Sequence, residues 1–383
     1  MIVRTTRAAV ALLCATAVAV LPATTAQADQ IRDDQWHLRY LKTVEVHKIS
    51  QGEGVTVAVI DTGVDPHPDL RNNLLPGTAT YSGGSGDGRQ DGDPGGHGTG
   101  MAGLVAAHGR GSSGALGIAP KAKILPVQDA ADKKTIGPDD AAKAIEWATA
   151  QGADVINISA GLSSTSRLRA AIEAAIAADI VVVAAGGNRP ADFLVPFPAA
   201  FDGVVAVGSI DRQGRLADHS VTGNKIVITA PGIDIRSTSR GGRYSDTWGT
   251  SNAAAIVAGA AALVRSRYPD LSAKEVVHRL TATADDKGAP GRDEEYGYGV
   301  LDIVAALTAD VPPLEGDAQP TGAATPEQTR SSSAAPDGGS AGNVLTTIAL
   351  VGCAAVVLFG LLIAFLIVML VRRKKRTAPR PPY

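Results

Sequence analysis

Residues 57–63 read Val57-Ala58-Val59-Ile60-Asp61-Thr62-Gly63. Four apolar residues, three of them β-branched, predict a strand buried on both faces. The run ends on a carboxylate, which is costly in such a place unless something hydrogen-bonds to it. Two blocks further along offer the partners, Gly96-His97-Gly98-Thr99 and Gly249-Thr250-Ser251. A serine is a poor nucleophile until a base takes its proton, and a histidine serves well as that base when a carboxylate fixes its tautomer. Each block alone is common. In the order Asp61, His97, Ser251, each at the end of a strand or the start of a helix, they specify nucleophilic catalysis.

Working outward from residue 61, apolar runs alternate with helical patterns. Strands are expected at residues 55–60, 123–127, 155–159, 180–185, 204–209 and 225–230. Helices are expected at 98–107, 138–151, 166–178, 252–268 and 272–284. The last opens on Ser272 with Glu275 three residues later, the pattern of a capping box. Continuously apolar strands separated by helices predict an α/β fold: a mostly parallel central sheet with helices on both faces, in three layers. In such sheets ligands bind beyond the carboxyl ends of the strands. Asp61 and Asn188 follow strands, and His97 and Ser251 begin helices, so all four can reach one rim.

There Ser251 lies near the unpaired N–H groups and positive pole of its helix, which favours an oxyanion. Alone it would read as an ordinary N-cap. His97 fits general base and then general acid. Asn188, in Ala185-Gly186-Gly187-Asn188, can donate a side-chain N–H to the oxyanion; it also suits a left-handed turn. Asp65 and Asp69 are expected to cap a turn and a helix. His37, His47, His67, His108, His219 and His278 lack any comparable frame.

On these residues the chain resembles the subtilisin-like serine peptidases over about residues 51–308. Asp61-Thr62-Gly63, His97-Gly98-Thr99 and Gly249-Thr250-Ser251 match the three active-site motifs of that family. The resemblance implies catalytic Asp61, His97 and Ser251, and Asn188 at the oxyanion. It also implies substrate binding by Ser159, Ala160, Gly161, Ala185, Gly186 and Gly187, with the peptide added as an extended strand. It implies no cofactor; structural calcium is common in the family, but no acidic cluster here is assignable to it. The usual Gly-Thr-Ser-Met-Ala-x-Pro is replaced by Asn252 after the serine and Ala255 at the proline, and the second histidine of His-Gly-Thr-His by Gly100.

The flanks suggest where such an enzyme works. Residues 1–28 carry Arg4 and Arg7, an apolar run and Ala26-Gln27-Ala28, as in a secretory signal peptide. Residues 29–50 form a lead-in expected to pack on the surface of a catalytic domain at 51–310. About eight residues separate the expected cleavage point from Trp36, too few for an inhibitory prodomain. Residues 311–343 are rich in Pro, Gly, Ser, Thr and Ala, a linker composition. Residues 344–371 are long and apolar enough for a transmembrane helix. Arg372-Arg373-Lys374-Lys375-Arg376 opens a basic tail at 372–383, which places that tail in the cytoplasm and the domain outside the cell membrane. Cys14 and Cys353 are the only cysteines, so a domain at 51–310 holds no disulfide.

This organisation resembles the mycosins, membrane-anchored proteases associated with type VII secretion. The resemblance implies protein or peptide substrates and secretion-complex partners. A net charge of −2 over 383 residues gives no field for nucleic acid. The competing functions are a catalytically weak scaffold of a secretion complex, and an esterase or amidase using the same triad.

Overall fold

The computed structural model describes residues 30–132 and 136–314. The expected signal peptide, transmembrane helix and tail, and all but the first residues of the expected linker, lie outside the described residues. Among the described residues no helix is long and apolar enough to cross a membrane.

Eleven strands are described: β1 (Thr56–Asp61), β2 (Thr78–Ala79), β3 (His108–Arg110), β4 (Ser113–Leu116), β5 (Lys123–Gln128), β6 (Val155–Ile158), β7 (Val181–Ala185), β8 (Val205–Ile210), β9 (Ile228–Pro231), β10 (Ile235–Ser239) and β11 (Arg243–Thr247). The helices are α1 (Trp36–Tyr40), α2 (Thr43–Val46), α3 (His97–Ala106), α4 (Pro138–Ala150), α5 (Ser166–Ala177), α6 (Thr250–Arg267), α7 (Ala273–Ala282) and α8 (Ile303–Thr308). Seven strands form one parallel sheet in the order β2-β5-β1-β6-β7-β8-β9.

Both faces of the sheet are covered, as the unbroken apolar strands require. Along β1, Val57 and Val59 point into one core with Met101 and Leu104 of α3 and Ile256 and Val257 of α6. Ala58 and Ile60 point into the other, with Ala141 and Ile145 of α4 and Leu168 and Ile172 of α5. Every residue of α6 from Thr250 to Val264 is buried. A helix apolar all round belongs in the middle of a protein, and its small residues let it lie against the sheet. The capping box at Ser272 and Glu275 forms as expected.

Three departures from the sequence reading have clear causes. The strand expected at 225–230 begins only at Ile228, because Ile226 N–H bonds to the Gly223 carbonyl and holds residues 223–226 in a turn. Two antiparallel hairpins, β3–β4 and β10–β11, were not anticipated. The lead-in does not rest on the surface: Trp36, Leu38 and Leu41 are buried in the main core, and Trp36 Nε1 donates to the Ile233 and Asp234 carbonyls at 3.0 Å each.

The β10–β11 hairpin positions α3. Hydroxyls of Ser237, Thr238 and Ser239 donate to the carbonyls of Gly100, Thr99 and Gly95 at 2.8, 2.7 and 2.9 Å. A Cβ on Gly103 would lie 2.0 Å from Thr238 Oγ1, a hydroxyl already committed to α3. Gly103→Ala is therefore expected to cost about 1–3 kcal/mol as overpacking. It should appear as a lower urea midpoint with an unchanged slope.

Candidate active site

Asp61 ends β1 and is buried. Its Oδ1 and Oδ2 lie 2.8 and 2.9 Å from Nδ1 of His97, and Thr62 N–H donates to Oδ1 at 2.8 Å. These contacts meet the cost of a carboxylate at the end of an apolar strand. His97 is the first residue of α3, and its backbone N–H donates to Asp93 Oδ2 at 3.2 Å. The helix start approaches β1 closely because residue 98 is glycine: a Cβ there would sit 2.2 Å from the Gly63 carbonyl oxygen.

Ser251 is the second residue of α6 and is buried except for a small opening. It is not the N-cap; Gly249 holds that position. The Ser251 hydroxyl donates to the Ser159 carbonyl at 3.2 Å, and the Ser159 hydroxyl returns a bond to the Ser251 carbonyl at 3.3 Å. Asn157 Nδ2 donates to Ser159 Oγ at 3.0 Å. The end of β6 is thus knitted to the start of α6, while α3 packs against α6 on the same face of the sheet. In this resting arrangement the serine bonds to Ser159 rather than to His97. Catalytic hydrogen bonds often tighten only when substrate is present.

Asn188 follows β7. Its Oδ1 accepts from Thr250 N–H at 2.9 Å and from the Thr250 hydroxyl at 3.3 Å. A backbone N–H can only donate, so the carboxamide orientation is determined: its oxygen holds the start of α6 and its NH2 faces away. Asn188 is absent from the residues of positive φ, so the left-handed-turn reading does not hold.

Gly161 and Gly187 face one loop: a Cβ on either would lie about 3 Å from Pro196, at 3.0 and 2.8 Å, with Asp192 next. Of the other residues expected to bind substrate, Ser159 is buried and Ala160 half-buried, while Ala185 and Gly186 are buried against the sheet. Sequence reasoning missed the apolar side chains exposed nearby. Trp248, three residues before Ser251, is 63% exposed and lies 5.0 Å from the His219 ring, and Phe193 and Leu194 are about 80% exposed.

Two further acids surround Asp61. Asp129 N–H donates to the Asp61 carbonyl at 3.0 Å. Burial, and then the Asp61 charge, push the Asp129 carboxyl well above the usual carboxylate range. Asp91 is buried too, and burial is the largest cause of its rise to about 6. Among the described residues no group of three His, Cys, Asp or Glu side chains could hold a metal ion.

Compared with known families, residues 52–299 match the subtilase family. The chain belongs to that family. This subtilase is 38% identical to subtilisin DY of Bacillus licheniformis over 261 residues, 67% of this chain and 92% of its relative. Among solved structures it is similar to MycP1 from Mycobacterium smegmatis, with 30% identity and a TM-score of 0.64, covering 74% of this chain and 89% of that one. It is also similar to the MycP3 protease of the type VII (ESX-3) secretion system, with 35% identity and a TM-score of 0.62, covering 72% and 88%. The subtilase is a serine endopeptidase by this kinship.

Proposed function

We propose that this subtilase cleaves peptide bonds through Ser251, His97 and Asp61, outside the cell membrane, anchored by residues 344–371 and associated with type VII secretion. The Asp61–His97 pair carries the catalytic part of the reading, because both carboxylate oxygens lie within 2.9 Å of Nδ1. That leaves Nε2 unprotonated and able to act as base. Ser251 Oγ attacks the scissile carbonyl while its proton passes to Nε2. The oxyanion receives N–H groups at the start of α6 and Nδ2 of Asn188. Collapse breaks the C–N bond, and His97 hands its proton to the departing amine. Water, deprotonated by His97, then attacks the acyl carbonyl, and as the bond to Ser251 Oγ breaks His97 returns the proton to that oxygen and the acid product leaves.

The secretion setting rests on the likeness to MycP1 and MycP3 together with the apolar segment 344–371 and the basic residues behind it. Anchoring is tested by extracting membranes with alkaline carbonate. The full chain should remain in the pellet, and a chain truncated at residue 314 should not. A full chain recovered in the supernatant would overturn the anchor. Association is tested by affinity capture of the full chain from its own membranes, in which the secretion-complex components should co-purify.

Asn188→Ala should lower kcat about 10²–10³-fold with KM little changed, since the donor is needed only as charge develops on oxygen. Steady-state hydrolysis of a peptide substrate checks this; an unchanged kcat would remove Asn188 from the oxyanion site. A scaffold function is the second reading. It is favoured by the Ser251 hydroxyl bonding to Ser159 in place of His97. Fluorophosphonate labelling of the full chain separates the two, because a scaffold with a disengaged serine would not react.

A further inference from the structure

We propose that Asp91 is a positioning residue for this peptidase reaction, its carboxylate holding the proton of the Thr62 hydroxyl away from Asp61 while capping the helix that carries His97. The inference rests on the peptidase reading above. The Asp91 side chain is fully buried. Its Oδ2 accepts from the backbone N–H and the hydroxyl of Thr99, at 2.8 and 2.6 Å. Its Oδ1 accepts from the Thr62 hydroxyl at 2.8 Å and from Asp93 N–H at 3.0 Å.

Thr99 is the third residue of α3, the usual target of an N-cap side chain. The N-cap itself is Gly96, which has no side chain to offer. Asp91 supplies the missing acceptor from an adjoining loop, and its charge complements the positive end of the helix.

The Thr62 hydroxyl has one proton and two carboxylates in reach. Asp91 Oδ1 is at 2.8 Å and Asp61 Oδ1 at 3.2 Å. The Thr62 hydroxyl oxygen itself accepts from Gly98 N–H at 3.2 Å. With Asp91 ionised, the shorter bond takes the proton, and Asp61 Oδ1 keeps its charge for His97. With Asp91 neutral, the hydroxyl is released to Asp61. A carboxylate that accepts one more hydrogen bond stabilises a neighbouring imidazolium less. One buried side chain thus governs both members of the Asp61–His97 pair.

The titratable groups around Asp91 are Asp61 at the end of β1, Asp65 and Asp93 on the adjoining loops, and His97 on α3. Asp65 Oδ1 accepts the Asp91 N–H at 2.8 Å. Burial, with a smaller contribution from the Asp61 charge, raises the Asp91 carboxyl to about 6.

The test uses the full chain with a peptide substrate across pH 4.5–9, as pH values chosen around the ordinary histidine range. Asp91→Asn, a fixed neutral side chain, should lower kcat about 10- to 100-fold, the loss expected for charge-assisted hydrogen bonds, with KM little changed. The acid limb of log kcat/KM should be steeper than one per pH unit in the wild type, where two groups titrate. In Asp91→Asn it should fall to one. A wild-type kcat and an unaltered acid limb in this variant would overturn the proposal. If Asp91→Asn does not fold, Thr62→Val and Thr62→Ser decide. Valine leaves no hydroxyl to pass from Asp91 to Asp61, so it should keep kcat near wild type and bring the acid limb to one per pH unit, while serine keeps the wild-type limb; valine with the wild-type limb would overturn the idea. Labelling of wild type but not Ser251→Ala by a fluorophosphonate reports the peptidase reading separately. A wild type that does not label would sink that reading, and this one with it.

Discussion

Ser251→Ala is expected to abolish fluorophosphonate labelling and to lower kcat for peptide hydrolysis about a million-fold. No other hydroxyl can substitute. The Ser159 Oγ is engaged by the Ser251 carbonyl and the Asn157 amide, and the Thr250 hydroxyl by Asn188. The residual rate should come from binding and the oxyanion donors alone. The change removes one oxygen, and with it one hydrogen bond to the Ser159 carbonyl at 3.2 Å. The variant should therefore fold and bind peptides with near-normal affinity. Single-turnover hydrolysis and labelling measure the loss. Activity within tenfold of wild type would mean that this serine is not the nucleophile.

Asp61→Asn is expected to lower kcat about 10⁴-fold at neutral pH. The geometry explains why shape is not enough. Both oxygens of Asp61 accept from Nδ1 of His97, so the ring presents an unprotonated Nε2. An asparagine can turn its NH2 toward Nδ1, which forces the proton onto Nε2, where a base is needed. It also cannot stabilise the imidazolium that forms when Ser251 loses its proton. KM should change little, because Asp61 is buried behind the ring. Steady-state kinetics on a peptide checks both parameters. A loss confined to KM would show that Asp61 shapes the cleft instead of the base.

Much of the fold was legible from residue 61 outward because physical constraints repeat there. A strand covered on both faces must be apolar throughout, and the crossover helices must each show one apolar stripe. Those rules locate β1, β5, β6, β7 and β8 and the helices between them within a few residues. The hairpins obey neither rule. His108-Gly109-Arg110 and Ser113-Gly114 are short and rich in glycine, and β11 is half exposed. The lead-in misled for another reason: a few apolar residues in a polar stretch look the same whether they cover a core or complete it.

The site divides in the same way. Asp61, His97 and Ser251 were visible because each needs a particular residue type at the end of an element. The binding of Asn188 to Thr250 was not, since it joins residues 62 positions apart. Asp91 was invisible for a simpler cause. In Gln90-Asp91-Gly92-Asp93-Pro94 an aspartate reads as turn chemistry, and only the return of the loop onto α3 buries it. Trp248 could not be told from a core tryptophan by composition.

The hairpin β10–β11 grips the histidine helix by its main chain: three hydroxyls bind three peptide carbonyls between residues 95 and 100. Such a grip is indifferent to which amino acid occupies residue 100, where a Cβ would meet nothing closer than the Thr238 carbonyl oxygen at 3.4 Å. Residue 100 illustrates the freedom this creates. The familiar motif has a second histidine there, and this chain has glycine, yet the Gly100 carbonyl is held at 2.8 Å all the same. Evolution can thus rewrite the spelling of the helix without moving the base it carries.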